Sequence, residues 1–205
     1  MALKLKFSFT ILLVFIAFTV VGTLSHELGH ISVAQFLGYD TQLHYGSMNW
    51  YGDSSYQLKP SNAFWISLGG PAQTLITSFL GFSFLLYREF KMGKRKFQLL
   101  DWIAVFLALF CLRQLMNPVV GFGEFLFFDQ PLTFGNDETK LAESLKWPLG
   151  SISIASACIS FIISMLVLFK FIPRNLRSSF LLGGILGGFL GYSLWLIKFG
   201  PLLLP

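Results

Sequence analysis

The sequence predicts an all-α membrane protein of about five transmembrane helices, with a short β-hairpin or irregular loop after the first. Three observations carry this prediction. Hydrophobic residues make up 54% of the 205 residues and charged residues only 12%, about half the charge of a soluble domain. Uncharged apolar runs recur at the roughly 20-residue length that a helix needs to cross a bilayer core. Lys and Arg gather in alternate loops, as they do on the cytoplasmic side of membrane proteins. This composition excludes a disordered chain, a nucleic-acid-binding domain and an ordinary soluble enzyme. The length suits one domain over residues 1–205.

The first span is expected at 7–36, after Lys4 and Lys6, with Gly38 as its stop. A cleaved leader would end in a small-residue cleavage site. The apolar character instead resumes at 31–37, so one long helix is expected. Residues 41–59 are rich in Tyr, Trp and Gly and alternate roughly, which suits a hairpin or an interfacial aromatic belt. Further spans are expected at 62–87, 98–116, 148–170 and 178–198. In the third, Asp101 and Arg113 are expected near the ends, where they can reach towards headgroups. For Arg113, pairing with an acidic loop or polarising a carbonyl are the alternatives. The last span holds Gly183, Gly184, Gly187, Gly188 and Gly191, a pattern for close helix packing or a homo-oligomer interface. Five spans put ten of the fifteen Lys and Arg residues on the side of the N-terminal tail, so the N-terminus is expected in the cytoplasm. Cys111 and Cys158 lie in apolar runs and read as buried small hydrophobes.

The first helix contains His26-Glu27-Leu28-Gly29-His30, an HExxH motif. Residues four apart share a helix face, so both imidazoles can reach one metal ion. Glu27 lies about 100° round the helix and can reach a metal-bound water instead. Random order of 3 His and 5 Glu would give this pattern in about one such chain per thousand. Three ionisable residues in one stretch of an apolar helix are costly unless they face a cavity or a partner. A zinc ion needs a third protein ligand. The candidates are His44, Asp40, Asp53, Glu124, Asp129, Asp137, Glu138 and Glu143.

The segment SHELGHISVAQFLGY resembles the signature of the site-2 protease family of intramembrane zinc metalloproteases. Residues 67–74, SLGGPAQT, are similar to that family's Ala-Gly-Pro-x-x-Asn motif, with Gly69 for Ala and Thr74 for Asn. Asn117-Pro118-Val119-Val120-Gly121 is similar to Asn-Pro-x-Asp-Gly, but Val120 stands where the family has its aspartate ligand. Small divergent relatives instead open a short amphipathic helix with an aspartate, which resembles Asp137 here. The resemblance therefore implies a zinc site of His26, His30 and Asp137, with Asp129, Glu138 and His44 in reserve and Glu27 as catalytic base. Asn136 is expected to cap that helix, and Leu141 and Leu145 to form its apolar face.

The activity implied is endoproteolysis of membrane-spanning or membrane-tethered peptides by metal-activated water. Gly70, Pro71 and Thr74 are the residues that would meet substrate. The partners implied are a membrane protein substrate and the lipid bilayer, with no nucleic acid, in a bacterial inner membrane. The alternatives are a zinc protease with a glutamate ligand, Glu138 or Glu143, and an inactive or metal-binding scaffold or transport protein.

Overall fold

The computed structural model describes residues 2–51, 59–93 and 97–205. Asp53, the rest of the predicted loop up to residue 58, and the basic residues Lys94, Arg95 and Lys96 lie outside the described residues. The elements in order are α1 (Ala2–Phe36), β1 (Asp40–Leu43), β2 (Met48–Tyr51), α2 (Pro60–Met92), α3 (Leu99–Ala108), α4 (Leu112–Phe128), α5 (Asn136–Ser144), α6 (Ser151–Leu166), α7 (Arg177–Ser193) and α8 (Gly200–Leu203). A 3-10 turn, Leu109–Cys111, joins α3 to α4, and π-helical turns extend α6 and α7.

The predicted first helix forms as one unbroken rod and stops at Gly38, whose φ of +87° is one that glycine adopts without strain. The hairpin also forms. Its strands are antiparallel, pairing Asp40 with Tyr51 and Leu43 with Met48, and His44 N–H donates to Ser47 C=O across the loop.

Among the described residues, four stretches are long and apolar enough to cross a membrane: Leu5–Phe36, Leu99–Phe128, Ser151–Phe171 and Arg174–Leu203. The expected second span lies in α2, which is 33 residues long but is not among the four. Its Pro71, Gln73 and Thr74 dilute the apolar run, and the last two make the polar contacts described below. The third span runs well past residue 116, to Phe128. Its two charges do not reach outward as expected. Asp101 is buried, closes a capping box with Gln98 and pairs with Arg88 at 3.0 Å. Large apolar side chains such as Leu5, Phe9, Phe79, Leu126, Phe161 and Ile185 cover the outside of the bundle. Cys111 is buried as expected, whereas Cys158 is exposed on α6.

One end of the bundle is basic. Lys170 pairs with Glu89 at 3.0 Å, Arg88 with Asp101, and Arg177 donates to the Ile172 carbonyl. Phe7 meets Trp102 at the same end, with centroids 5.6 Å apart. The hairpin and α8 occupy the other end, where Trp195 Nε1 donates to the Tyr45 carbonyl at 2.7 Å.

Glycines set the helix spacing. α7 runs alongside α1, with Gly183 against Ser8, Gly187 against Leu12 and Gly191 against Thr19. A Cβ on Gly187 would lie 2.5 Å from the Leu12 carbonyl oxygen, whereas one on Gly188 meets nothing within 4 Å. The glycine stripe is thus filled by α1 of the same chain. Gly187→Leu should lower the thermal unfolding midpoint of detergent-solubilised protein, at the roughly 1–3 kcal/mol typical of overpacking. Gly188→Leu should leave it unchanged. Equal losses at the two positions would contradict this packing.

Candidate metal centre

The centre begins where α1 and α2 cross. A Cβ on Gly29 would fall 2.5 Å from the Gly69 carbonyl oxygen, and one on Gly69 equally close to that of Gly29. Only glycines allow this approach. The contact sets His26 and His30 directly against α2, and both are buried, 1% and 4% exposed. Their Nε2 atoms lie where a Cβ of Gly70 would stand, so Gly70 makes room for the rings.

Each imidazole is oriented through its other nitrogen. The Thr74 hydroxyl donates to the Gly70 carbonyl at 3.0 Å. It is then left to accept from His26 Nδ1–H, 2.9 Å away. The Ile66 carbonyl can only accept, so His30 Nδ1–H donates to it at 2.6 Å. That carbonyl lies one residue before the Ser67 carbonyl, which Pro71, having no N–H, leaves without its helical donor. Gly70 N–H lies 3.2 Å from the same nitrogen, which cannot accept from it while it carries that proton. With both protons on Nδ1, both Nε2 lone pairs face inward. Metal-binding histidines are oriented in this way.

Asp137 arrives from α5, which packs on α2. Its Oδ2 lies 3.1 Å from His26 Nε2 and 3.2 Å from His30 Nε2, and the two nitrogens are 3.2 Å apart. Three ligand atoms at bonds of about 2.0–2.1 Å in a tetrahedral site stand roughly 3.3 Å apart. The triangle here fits. A carboxylate ligand binds a metal ion in its ionised form. Two inward nitrogen lone pairs and a carboxylate oxygen this close repel one another unless a cation lies between them. Among the described residues, His26, His30 and Asp137 form the one group of three or more such side chains that could hold a metal ion. Two imidazoles and a carboxylate suit zinc in hydrolases and iron in oxygenases.

The structure brings together His26, His30 and Asp137, the three residues the sequence and its resemblance named. It misread details of α5. Gly135, with φ +84°, precedes the helix, and Asn136 is its first residue rather than its cap. Leu141 is buried, but Leu145 is 41% exposed and lies off the packed face. The reserve ligands stand apart. His44 bonds Asn49 and the Pro205 carbonyl on the hairpin. Asp129 is exposed at the left-handed end of α4, and Asp40, Glu124 and Glu143 are exposed. Glu138 is buried but turns to Asn117, whose Nδ2 donates to it at 3.2 Å, and burial pushes its carboxyl up. Asn117, from the motif that lacks its aspartate, thus steadies the residue beside Asp137. Gly70 and Thr74, expected to meet substrate, contact the histidines, and Pro71 is buried.

Beside the triad lies a cavity of about 910 Å³ lined by Glu27, His30, Asp137, Arg113, Trp50 and Tyr192, among others. Glu27 is buried, lies outside the ligand triangle and pairs with Arg113 Nη2 at 3.5 Å. Arg113 was expected at the membrane interface; it stands in this cavity instead. Its charge in an apolar stretch was the available signal, but the sequence did not place it against Glu27.

No family model, curated protein or solved structure matches this chain.

Purified wild-type protein should bind about one divalent metal ion per chain, measured by elemental analysis. Asp137→Ala should lose most of it, and Asp129→Ala and His44→Ala should retain it. Thr74→Val should weaken binding about 10–100-fold, the usual cost of removing a partner that orients a ligand.

Proposed function

We propose that the chain is a zinc-dependent intramembrane endopeptidase similar to the site-2 proteases. The observation that carries this reading is the convergence of His26, His30 and Asp137, with Glu27 in the same cavity as His30 and Asp137. A carrier or store has no use for a carboxylate beside the ligands that does not itself bind. A hydrolase needs one, to accept the proton of the attacking water.

His26, His30 and Asp137 would hold the zinc ion. When bound, zinc lowers the pKa of its water and polarises a carbonyl. Glu27 takes the proton from the attacking water and later passes it to the leaving amine nitrogen. The cavity that Glu27 lines has room for an extended peptide segment. A helical substrate has its carbonyls bonded internally, so it must unwind locally before Glu27 can act. The four apolar helices and their apolar exterior support a multi-pass membrane protein. We place its basic end, with the N-terminus, in the cytoplasm of a bacterial cell, on the positive-inside pattern. The substrate is then a membrane-spanning or membrane-tethered peptide.

Glu27→Gln should abolish cleavage of a reconstituted transmembrane peptide in a gel assay while keeping one zinc per chain. Cleavage at the wild-type rate by that variant would end this reading. Zinc binding without cleavage by the wild type would favour a metal-binding scaffold.

A further inference from the structure

We propose that Arg113 is a further catalytic residue, donating to the carbonyl oxygen of the peptide bond being cut. This rests on the protease reading above. Arg113 stands on one face of α4 with Asn117 and Gly121, spaced by four residues, and all three line the cavity that holds Glu27, His30 and Asp137. A second, apolar cavity of about 410 Å³, lined by Phe15, Phe18, Phe110 and Met165 among others, also has Arg113 in its wall. Arg113 thus borders both cavities.

Its hydrogen bonding is incomplete. A guanidinium carries five N–H donors. Nη2 makes one long contact, 3.5 Å, with Glu27 Oε1. Nε is buried with no partner among the described residues. A purely structural pair would favour the two-pronged Arg–carboxylate fork. The geometry here leaves donors for a ligand.

The reaction supplies that ligand. As water attacks, its oxygen bonds to the carbonyl carbon and its proton goes to Glu27. The carbonyl π pair moves onto the oxygen, which gains negative charge. Glu27 is then neutral and no longer holds the guanidinium. Arg113 can turn its N–H groups to the new anion without leaving the cavity. When the C–N bond breaks, its electron pair goes to nitrogen, which takes the proton from Glu27. The carboxylate and guanidinium then pair again. A donor aimed where charge develops contributes to kcat rather than to ground-state binding.

The test uses full-length Arg113→Met and Arg113→Lys in detergent, with zinc content measured beside kinetics. A second readout is the affinity for a Leu-Leu dipeptide analogue with a phosphinate in place of the peptide bond, against uncharged Leu-Leu amide. Zinc should stay at the wild-type level. In Arg113→Met, kcat should fall about 100–1000-fold, the typical loss for one such donor, with KM nearly unchanged. Phosphinate affinity should fall at least tenfold while amide affinity holds, and added guanidinium should restore part of the rate. Arg113→Lys should recover part of both, and it serves if the Met variant does not fold. Unchanged kcat and phosphinate affinity in a zinc-loaded variant would overturn the proposal. If the wild type cuts no peptide yet its phosphinate affinity still depends on Arg113, the protease reading fails and the anion site stands. If that affinity is independent of Arg113, the proposal falls.

Discussion

Gly29 and Gly69 let α1 and α2 cross so closely that a single methyl group on either would strike the other's carbonyl oxygen. The rest of the centre depends on that approach. It brings His26 within reach of Thr74 and His30 within reach of Ile66, and Gln73 Nε2 donates to Ser25 Oγ at 2.6 Å across the same contact. Each imidazole therefore spends its proton on α2 and turns its lone pair inward. When Asp137 joins them, three electron-rich atoms stand within 3.2 Å of one another. A cation held there would relieve their repulsion, so metal binding and the docking of α5 onto α1 and α2 would be coupled.

The chain separates its polar chemistry from its apolar exterior. Large apolar side chains face outward on most of the helices, while His26, Glu27, His30, Thr74 and Glu138 are turned inward. This explains why α2 is the least apolar of the long helices. Its Gly70, Pro71 and Thr74 serve the rings of α1, and a run of leucines there would leave His26 and His30 without partners. The same logic applies to α4, where Arg113 and Asn117 meet Glu27 and Glu138. A buried charge or amide with a stated partner costs far less than one left alone.

Features governed by local spacing were legible in the sequence. The HExxH motif needs only helical periodicity to bring two imidazoles together, and the helix stop at Gly38 needs only a residue that tolerates positive φ. The hairpin was one of the two readings that its alternation and aromatic content allowed. Features set by packing between distant segments were not legible. Arg113 and Glu27 are 86 positions apart, and nothing local to either points to the other. That Thr74 meets His26 was not legible either, because the pairing depends on the Gly29–Gly69 crossing. Leu145, four residues after Leu141, and Cys158, in an apolar run, face outward, since the packed face of each helix is chosen by its neighbours. Asp137 was reached through a resemblance to divergent relatives. Spacing alone left eight candidates open, and among the described residues the fold brings one of them, Asp137, to the histidines.

The central claim is that His26, His30 and Asp137 bind one metal ion and leave a position for water. X-ray absorption at the zinc edge of the loaded protein measures this most directly. The expected result is a shell of about four nitrogen and oxygen atoms near 2.0–2.1 Å, with the outer-shell scattering of two imidazoles and no sulfur. Scattering from fewer than two imidazoles, or a shell of six oxygens at longer distance, would contradict it.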